Sequence, residues 1–325
     1  MAFPLLIDTD PGIDDALAII LALRSPECSV EAITTVAGNV PVERCSENVF
    51  RILELVDPAR WPRVAQGAAA PLARPLTSAS HGLGDDGLGD LHQFKTSDGA
   101  PRYPRPSVRL APLDGPDRIL DSVSRFPDLT IIAIGPLTNV ALALQRDPRR
   151  MARLHRLVVM GGAVSVPGNV TPVAEFNFYV DPEAAREMLT SDFPVTLIPL
   201  DVTRKAVLSA EAIRILGRQG GAPGRFIEAF SRVGLAFAQR VERERGITLH
   251  DPLAVAAAMA EELFTFESLA LDVETTDEAT RGKVLVSERS GHSHCRVATE
   301  VRAKEFLDLF MERLCPGSSS SAARI

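Results

Sequence analysis

Asp8, Asp10, Asp14 and Asp15 gather four carboxylates around the turn Pro11-Gly12, and no Lys or Arg lies among them. Acids that close raise one another's pKa and resist ionisation unless a cation joins them. A divalent metal is the simplest remedy. A hard ion such as Ca²⁺ takes six to eight oxygen ligands and can draw part of its shell from both ends of one tight turn. The competing use is structural, with Asp14 and Asp15 favouring a helix N-terminus through its dipole and Asp8 and Asp10 serving as loop acids. Farther along, His250 precedes Asp251, and His81 opens a glycine-rich run that ends at Asp90. Asp181-Pro182-Glu183 and Asp251-Pro252-Leu253 each read as an N-cap acid followed by Pro in the first turn. In His292-Ser293-His294-Cys295 the alternate residues of a strand share a face, but no partner pair follows, so no transition-metal site is expected.

These residues must be positioned by the elements around them. Phe3 to Ile7 is an uncharged run suited to a strand buried on both faces, and Leu17, Ile20, Leu21 and Leu23 set a helical period after the acids. The same alternation recurs: Val30–Val36 leads through Gly38-Asn39 to a helix, and Leu129–Ile134 leads through Gly135-Pro136-Leu137-Thr138-Asn139 to another. Leu157–Met160 and Val195–Leu200 are further buried strands, two short strands are expected between Arg281 and Val301, and a last helix runs from Ala303 to Leu314. Strands alternating with helices predict an α/β fold: a doubly wound, mostly parallel central sheet with helices on both faces, and ligands outside the carboxyl ends of its strands. Asp10, Asn39, Thr138 with its neighbouring carbonyls, and the segment after Met160 are expected on that rim.

A chain of 325 residues with 46% hydrophobic content can bury a large core, and no linker divides it. One domain over residues 1–315 is expected, with 316–325 as a disordered tail. The formal charge of −7 and the absence of a basic run argue against nucleic acid and membrane surfaces. Cys28, Cys45, Cys295 and Cys315 are scattered, so reduced thiols are expected. The N-terminus opens directly into an apolar strand and no run is long enough for a membrane helix, so a cytoplasmic protein is expected.

Asp8-Thr9-Asp10-Pro11-Gly12-Ile13-Asp14-Asp15-Ala16 resembles the signature of the inosine-uridine-preferring nucleoside hydrolases. Val36–Asn39, Gly135–Asn139, Met160–Gly162, Gly168-Asn169, Glu175–Pro182 and His250–Val255 resemble further blocks of that family in the same order, and together span most of the chain. The resemblance implies Ca²⁺ held by Asp10, Asp15, Asp251 and the main-chain carbonyl of Thr138, with Asp10 also taking the proton of the attacking water. It assigns Asp14 and Asn39 to a ribose hydroxyl, since adjacent helical residues diverge by about 100° and Asp14 is not expected to share a metal face with Asp15. It places Asn169, Glu175 and Asn177 on the 5′ and 3′ hydroxyls of the sugar and Met160 beside the sugar, with His81, on a lid over the base, a second candidate proton donor. His250, with a reference pKa near 6.5, is the expected proton donor to the departing base. A homodimer or homotetramer is also implied. Val241 to Gly246 carries no aromatic residue, which leaves the base preference open. Leu5–Asp10 also resembles the nucleophile strand of haloacid-dehalogenase-like phosphatases, with Asp8 as nucleophile, but the Pro-Gly-Ile-Asp-Asp that follows does not fit them. A non-catalytic nucleoside- or Ca²⁺-binding protein is the third reading.

Overall fold

The computed structural model describes residues 2–79, 83–239, 246–287 and 294–315. Its strands are β1 (Phe3–Thr9), β2 (Cys28–Thr35), β3 (Arg63–Gln66), β4 (Thr130–Ala133), β5 (Arg156–Met160), β6 (Val195–Ile198), β7 (Val207–Ser209), β8 (Gly246–Thr248), β9 (Phe264–Val273), β10 (Val284–Val286) and β11 (His294–Val301). Helices of eight residues or more are α1 (Ile13–Arg24), α2 (Val42–Val56), α3 (Gly115–Arg125), α4 (Thr138–Arg146), α5 (Pro182–Leu189), α6 (Ala210–Gln219), α7 (Gly221–Phe237), α8 (His250–Met259) and α9 (Ala303–Leu314).

The main sheet has the order β10-β9-β11-β6-β5-β4-β1-β2-β3. It is parallel from β11 to β3, and β9 and β10 pair antiparallel at the other edge. Successive side chains of β1 serve opposite faces, as a strand requires. Leu5 and Ile7 join one core with α1, α2 and α8, whereas Leu6 joins a second core with α3, α4 and α5. Both faces of the sheet are therefore covered, which is why its central strands read as uninterrupted apolar runs. The winding reverses between β1 and β4, the neighbours that lead the chain toward opposite edges. At such a reversal the turns leaving two adjacent strands diverge and open a crevice. Asp10 leaves β1 there, and Ile134 leaves β4.

The sequence pattern misses the short β7 and β8, which pair only with each other, and, in the main sheet, β3 and β9. These last two lie near a sheet edge; β9 has the mixed burial of a strand with one solvated face, and β3 spans only Arg63–Gln66. The expected tail, residues 316–325, lies outside the described residues. Among the described residues no helix is long and apolar enough to cross a membrane.

Candidate active site

A cavity of about 400 Å³ opens over the β1/β4 reversal. Its floor is Asp14, Asp15, Asn39, Ile134, Met160, Asn177 and Asp251, and its apolar wall includes Ile13, Leu83, Phe176, Gly234 and Ile247. Asp14 and Asp15 come from the first turn of α1, Asp251 from the first turn of α8, and these two helices pack against one another. One oxygen from each of the three carboxylates lies within 4.8 Å of the other two. This corrects the expectation that Asp14 and Asp15 diverge. Adjacent helical residues still diverge by about 100°, and it is the packing of α8 against α1 that brings Asp251 within reach of both.

Asp15 is held by Thr9 Oγ1 at 2.6 Å, by the Gly12 N–H at 3.0 Å and by Asn39 Nδ2 at 3.1 Å. Asp10 accepts the Asn39 N–H at 2.6 Å through Oδ2, while its buried Oδ1 has no partner among the described residues. The backbone makes room for this carboxylate. A Cβ at Gly135 would stand 2.6 Å from Oδ1, and one at Gly38 would collide with Oδ2. Burial raises the pKa of Asp10, Asp14, Asp15 and Asp251, repulsion among the acids adds to it for Asp10, Asp14 and Asp251, and Asp14 reaches about 7. Buried like charges of this kind call for a cation. The orphaned Asp10 oxygen and the three converging carboxylates fit a hard divalent ion, whose ligands are oxygens. Asp251 does not cap its own helix: α8 begins after Leu249 without a side-chain cap.

Thr138 departs from its expected role. It is the first residue of α4, its hydroxyl donates to Asp181 at 2.6 Å, and its carbonyl belongs to the helical ladder. It does not line the cavity. The carbonyl found there is that of Ile134 at the end of β4, which accepts Asn177 Nδ2 at 2.9 Å. Sequence reasoning missed it because backbone oxygens carry no residue signature, although the end of an uncharged strand just before Gly-Pro marks the place.

Asn177 also donates to the Met160 carbonyl at 3.2 Å, tying the ends of β4 and β5 together under the cavity. Glu175 is first of all an N-cap: its oxygens accept the N–H groups of Asn177 and Phe178 and, across the turn, of Gly162 at 2.9 Å. Asn169 lines the cavity from a loop and accepts the Phe176 N–H at 3.0 Å. Asp181 caps α5, as its sequence context predicts. Asp8 is no nucleophile: fully buried, it accepts Thr34 Oγ1 at 2.5 Å and Asn139 Nδ2 at 2.8 Å and faces the interior of the sheet.

His250 lines the cavity beside Asp251, with Nδ1 2.8 Å from Thr203 Oγ1. Burial, reinforced by Arg204, lowers its pKa to about 4. The ring is therefore neutral at pH 7 and stays so well below the reference value near 6.5. His81 and residues 241–245 lie outside the described residues, as do His292 and Ser293.

The family model for inosine-uridine preferring nucleoside hydrolases matches residues 5–308. The chain belongs to this family. As a nucleoside hydrolase it shares 38% identity over 97% of its length with the pyrimidine-specific ribonucleoside hydrolase RihA of Citrobacter koseri, covering 98% of that protein. The RihA of Salmonella agona is 39% identical, with 97% of this chain and 99% of that protein covered. Among solved structures, the plant nucleoside hydrolase PpNRh1 superposes with a TM-score of 0.90 at 31% identity, covering 97% of this chain and all of that one. A purine-preferring ribonucleoside hydrolase from Gardnerella vaginalis gives 0.88 at 30% identity over 96% of this chain and 98% of that one. Phosphatase chemistry finds no support in the family match or in the position of Asp8.

Proposed function

We propose that this nucleoside hydrolase cleaves the N-glycosidic bond of ribonucleosides, with pyrimidine ribonucleosides preferred, releasing free base and ribose. The observation that carries the reading is the acidic floor joined to an apolar wall in one cavity: carboxylates and carbonyls for a sugar, Ile13, Leu83 and Ile247 for a flat base. The bond breaks through an oxocarbenium-like transition state, so positive charge grows on the ribose while negative charge grows on the base. Oxygen-rich surroundings of the sugar favour the first change. The pyrimidine preference is drawn from the RihA relatives.

Asp10, Asp15 and Asp251 would hold a Ca²⁺ ion, with the Ile134 carbonyl rather than that of Thr138 as the main-chain donor at the floor. Such an ion, when bound, supplies the charge that offsets the buried acids and lowers the pKa of a nearby water. Asp10 then accepts that water's proton, a role that its raised pKa, orphaned Oδ1 and rigid Gly38/Gly135 cradle support. Asn39 holds Asp10 and Asp15 in register and, with Asp14, faces a ribose hydroxyl. Asn169, Glu175 and Asn177 orient the remaining hydroxyls and Met160 packs beside the sugar. His250, neutral, would hydrogen-bond the departing base through a ring N–H, the proton that the base finally takes coming from solvent, and His81 is assigned to a loop over it. A cytoplasmic homodimer or homotetramer is proposed on family resemblance alone.

The test is a panel of purine and pyrimidine ribonucleosides and 2′-deoxyribonucleosides, assayed for released sugar with Ca²⁺ and with a chelator. Chelator-sensitive release of ribose, fastest from uridine or cytidine, is expected. Equal rates on 2′-deoxyuridine, or no effect of complete chelation, would overturn the sugar and metal assignments.

A further inference from the structure

The turn that follows β6 makes no direct claim on the cavity, yet three of its residues hold parts of the cavity wall. It begins as the short helix Leu200–Thr203 and continues into Arg204. Asp201 accepts two backbone N–H groups, Val164 at 2.9 Å and Ser165 at 2.7 Å. Three residues later Arg204 donates from its two terminal nitrogens to two backbone carbonyls, Pro167 and Gly168, each at 2.8 Å. Between them stands Thr203, whose hydroxyl meets His250 Nδ1. The loop so gripped runs directly into Asn169 and Val170, both in the cavity wall.

The loop has little else to hold it at that end. It lacks regular secondary structure from Gly161 to Ala174, apart from one isolated bridge at Ala174. Its distal part is folded on itself: the N–H groups of Asn169 and Val170 converge on the Ala174 carbonyl at 3.1 and 3.2 Å, and a Cβ on Gly168 would collide with Ala174. That fold, with the Phe176 N–H on Asn169 Oδ1 at 3.0 Å, ties the distal end, and leaves the distance of the 164–168 segment from the sheet to other contacts. The anion and the cation set that distance, one on the loop's amides and the other on its carbonyls, through the charge-assisted bonds that are the stronger class.

We propose that Arg204, together with Asp201, is a positioning residue that clamps the 164–168 segment and so places Asn169 against the 5′ end of the sugar. The inference rests on the ribonucleoside reading of the cavity. It predicts an effect on substrate binding, because Asp10 and Asp15 are held by other partners, Thr9, Gly12 and Asn39.

The test compares the full-length protein with its Arg204→Met, Arg204→Lys and Asp201→Asn variants on uridine and on 5′-deoxyuridine. Arg204→Met should raise KM for uridine about tenfold, with kcat within about threefold of the parent, the pattern of lost binding rather than lost chemistry. Its penalty on 5′-deoxyuridine should be much smaller, since that substrate lacks the hydroxyl Asn169 would hold. Arg204→Lys keeps the charge that bears on His250 but cannot span two carbonyls, so it should resemble Arg204→Met. Asp201→Asn, attacking the other end of the clamp, should shift KM in the same direction. Thermal unfolding of each variant establishes that it is folded. Full recovery in Arg204→Lys, or equal losses on the two substrates, overturns the clamp. An active parent whose Arg204→Met variant keeps its KM overturns the clamp alone, whereas a parent inactive on every ribonucleoside removes the reading beneath it as well.

Discussion

Asp10, fully buried, and His250, in the cavity wall, have different proposed roles, and changing the leaving group separates them. Asp10→Ala removes the proposed base and a cation ligand together, so kcat should fall by more than the ~10²–10⁴ of acid-base catalysis alone, with circular dichroism unchanged. Near-parental turnover in that variant would refute the assignment. A natural base leaves as a poor anion that a hydrogen bond from the His250 ring N–H would stabilise, so His250→Ala should lower kcat on uridine by about 10²–10³. A riboside with an activated phenolate departs unaided, and there His250→Ala should keep most of its activity while Asp10→Ala remains crippled. Equal damage on both substrates would reduce His250 to a support for Asp251. Burial holds the His250 pKa at about 4. The pH profile of kcat should therefore show no ascending limb on acidification through 6.5.

At the scale of elements, the site depends on how the ends of β1, β2 and β4 are tied. Asn139, in the first turn of α4, donates to Asp8 at 2.8 Å and to the Thr35 carbonyl at 2.9 Å, and accepts the Ala68 N–H at 2.8 Å. One side chain thus fastens β1, β2 and the segment after β3 near the acidic turn that follows β1. Asn139→Ala would remove three hydrogen bonds at once, one of them to a carboxylate, worth about 0.5–3 kcal/mol each, although Asp8 keeps Thr34 and the Thr35 carbonyl keeps the Gly67 N–H. We expect a stability loss of about 3 kcal/mol or more by denaturant titration, in the upper range for single substitutions. A loss under about 1 kcal/mol would mean that water replaces the amide readily.

For the molecule as a whole, the acidic floor links folding to pH and to cations. The raised carboxylates bind protons in the folded chain that the unfolded chain has released, and for Asp14 that interval runs from 3.8 to about 7. Where the folded state holds more protons, stability falls as pH rises. Chelated protein should therefore gain from these groups on acidification from about pH 7 and lose that contribution above it. Ca²⁺ should reverse the trend, because it binds the ionised acids and competes with their protons. At a hundredfold excess over Kd it would add about 2.7 kcal/mol. Melting curves at pH 5.5 and 7.5, with Ca²⁺ and with chelator, should show the larger Ca²⁺-induced rise at 7.5. An equal rise at both values would mean that the ion binds elsewhere.

Much of this protein is written locally. Phe3–Ile7 and Leu129–Ile134 are uncharged because both sheet faces are covered, and Asp114 and Asp181 each accept an N–H of the helix they precede. Such features need only near neighbours, so the alternating elements, the acidic turn at the end of β1 and the rim on which it sits follow from the sequence by itself. Contacts between distant segments were decided by the tertiary structure. Helix α8 brings Asp251 to Asp14 and Asp15, β4 offers the Ile134 carbonyl where Thr138 was expected, and burial beside Thr203 and Arg204 makes His250 neutral. Arg204 and Asp201 read backbone groups more than thirty positions away, which no residue type at those positions announces. Periodicity and capping are properties of neighbouring residues. Desolvation, charge repulsion and the direction of a carbonyl arise only when remote segments meet.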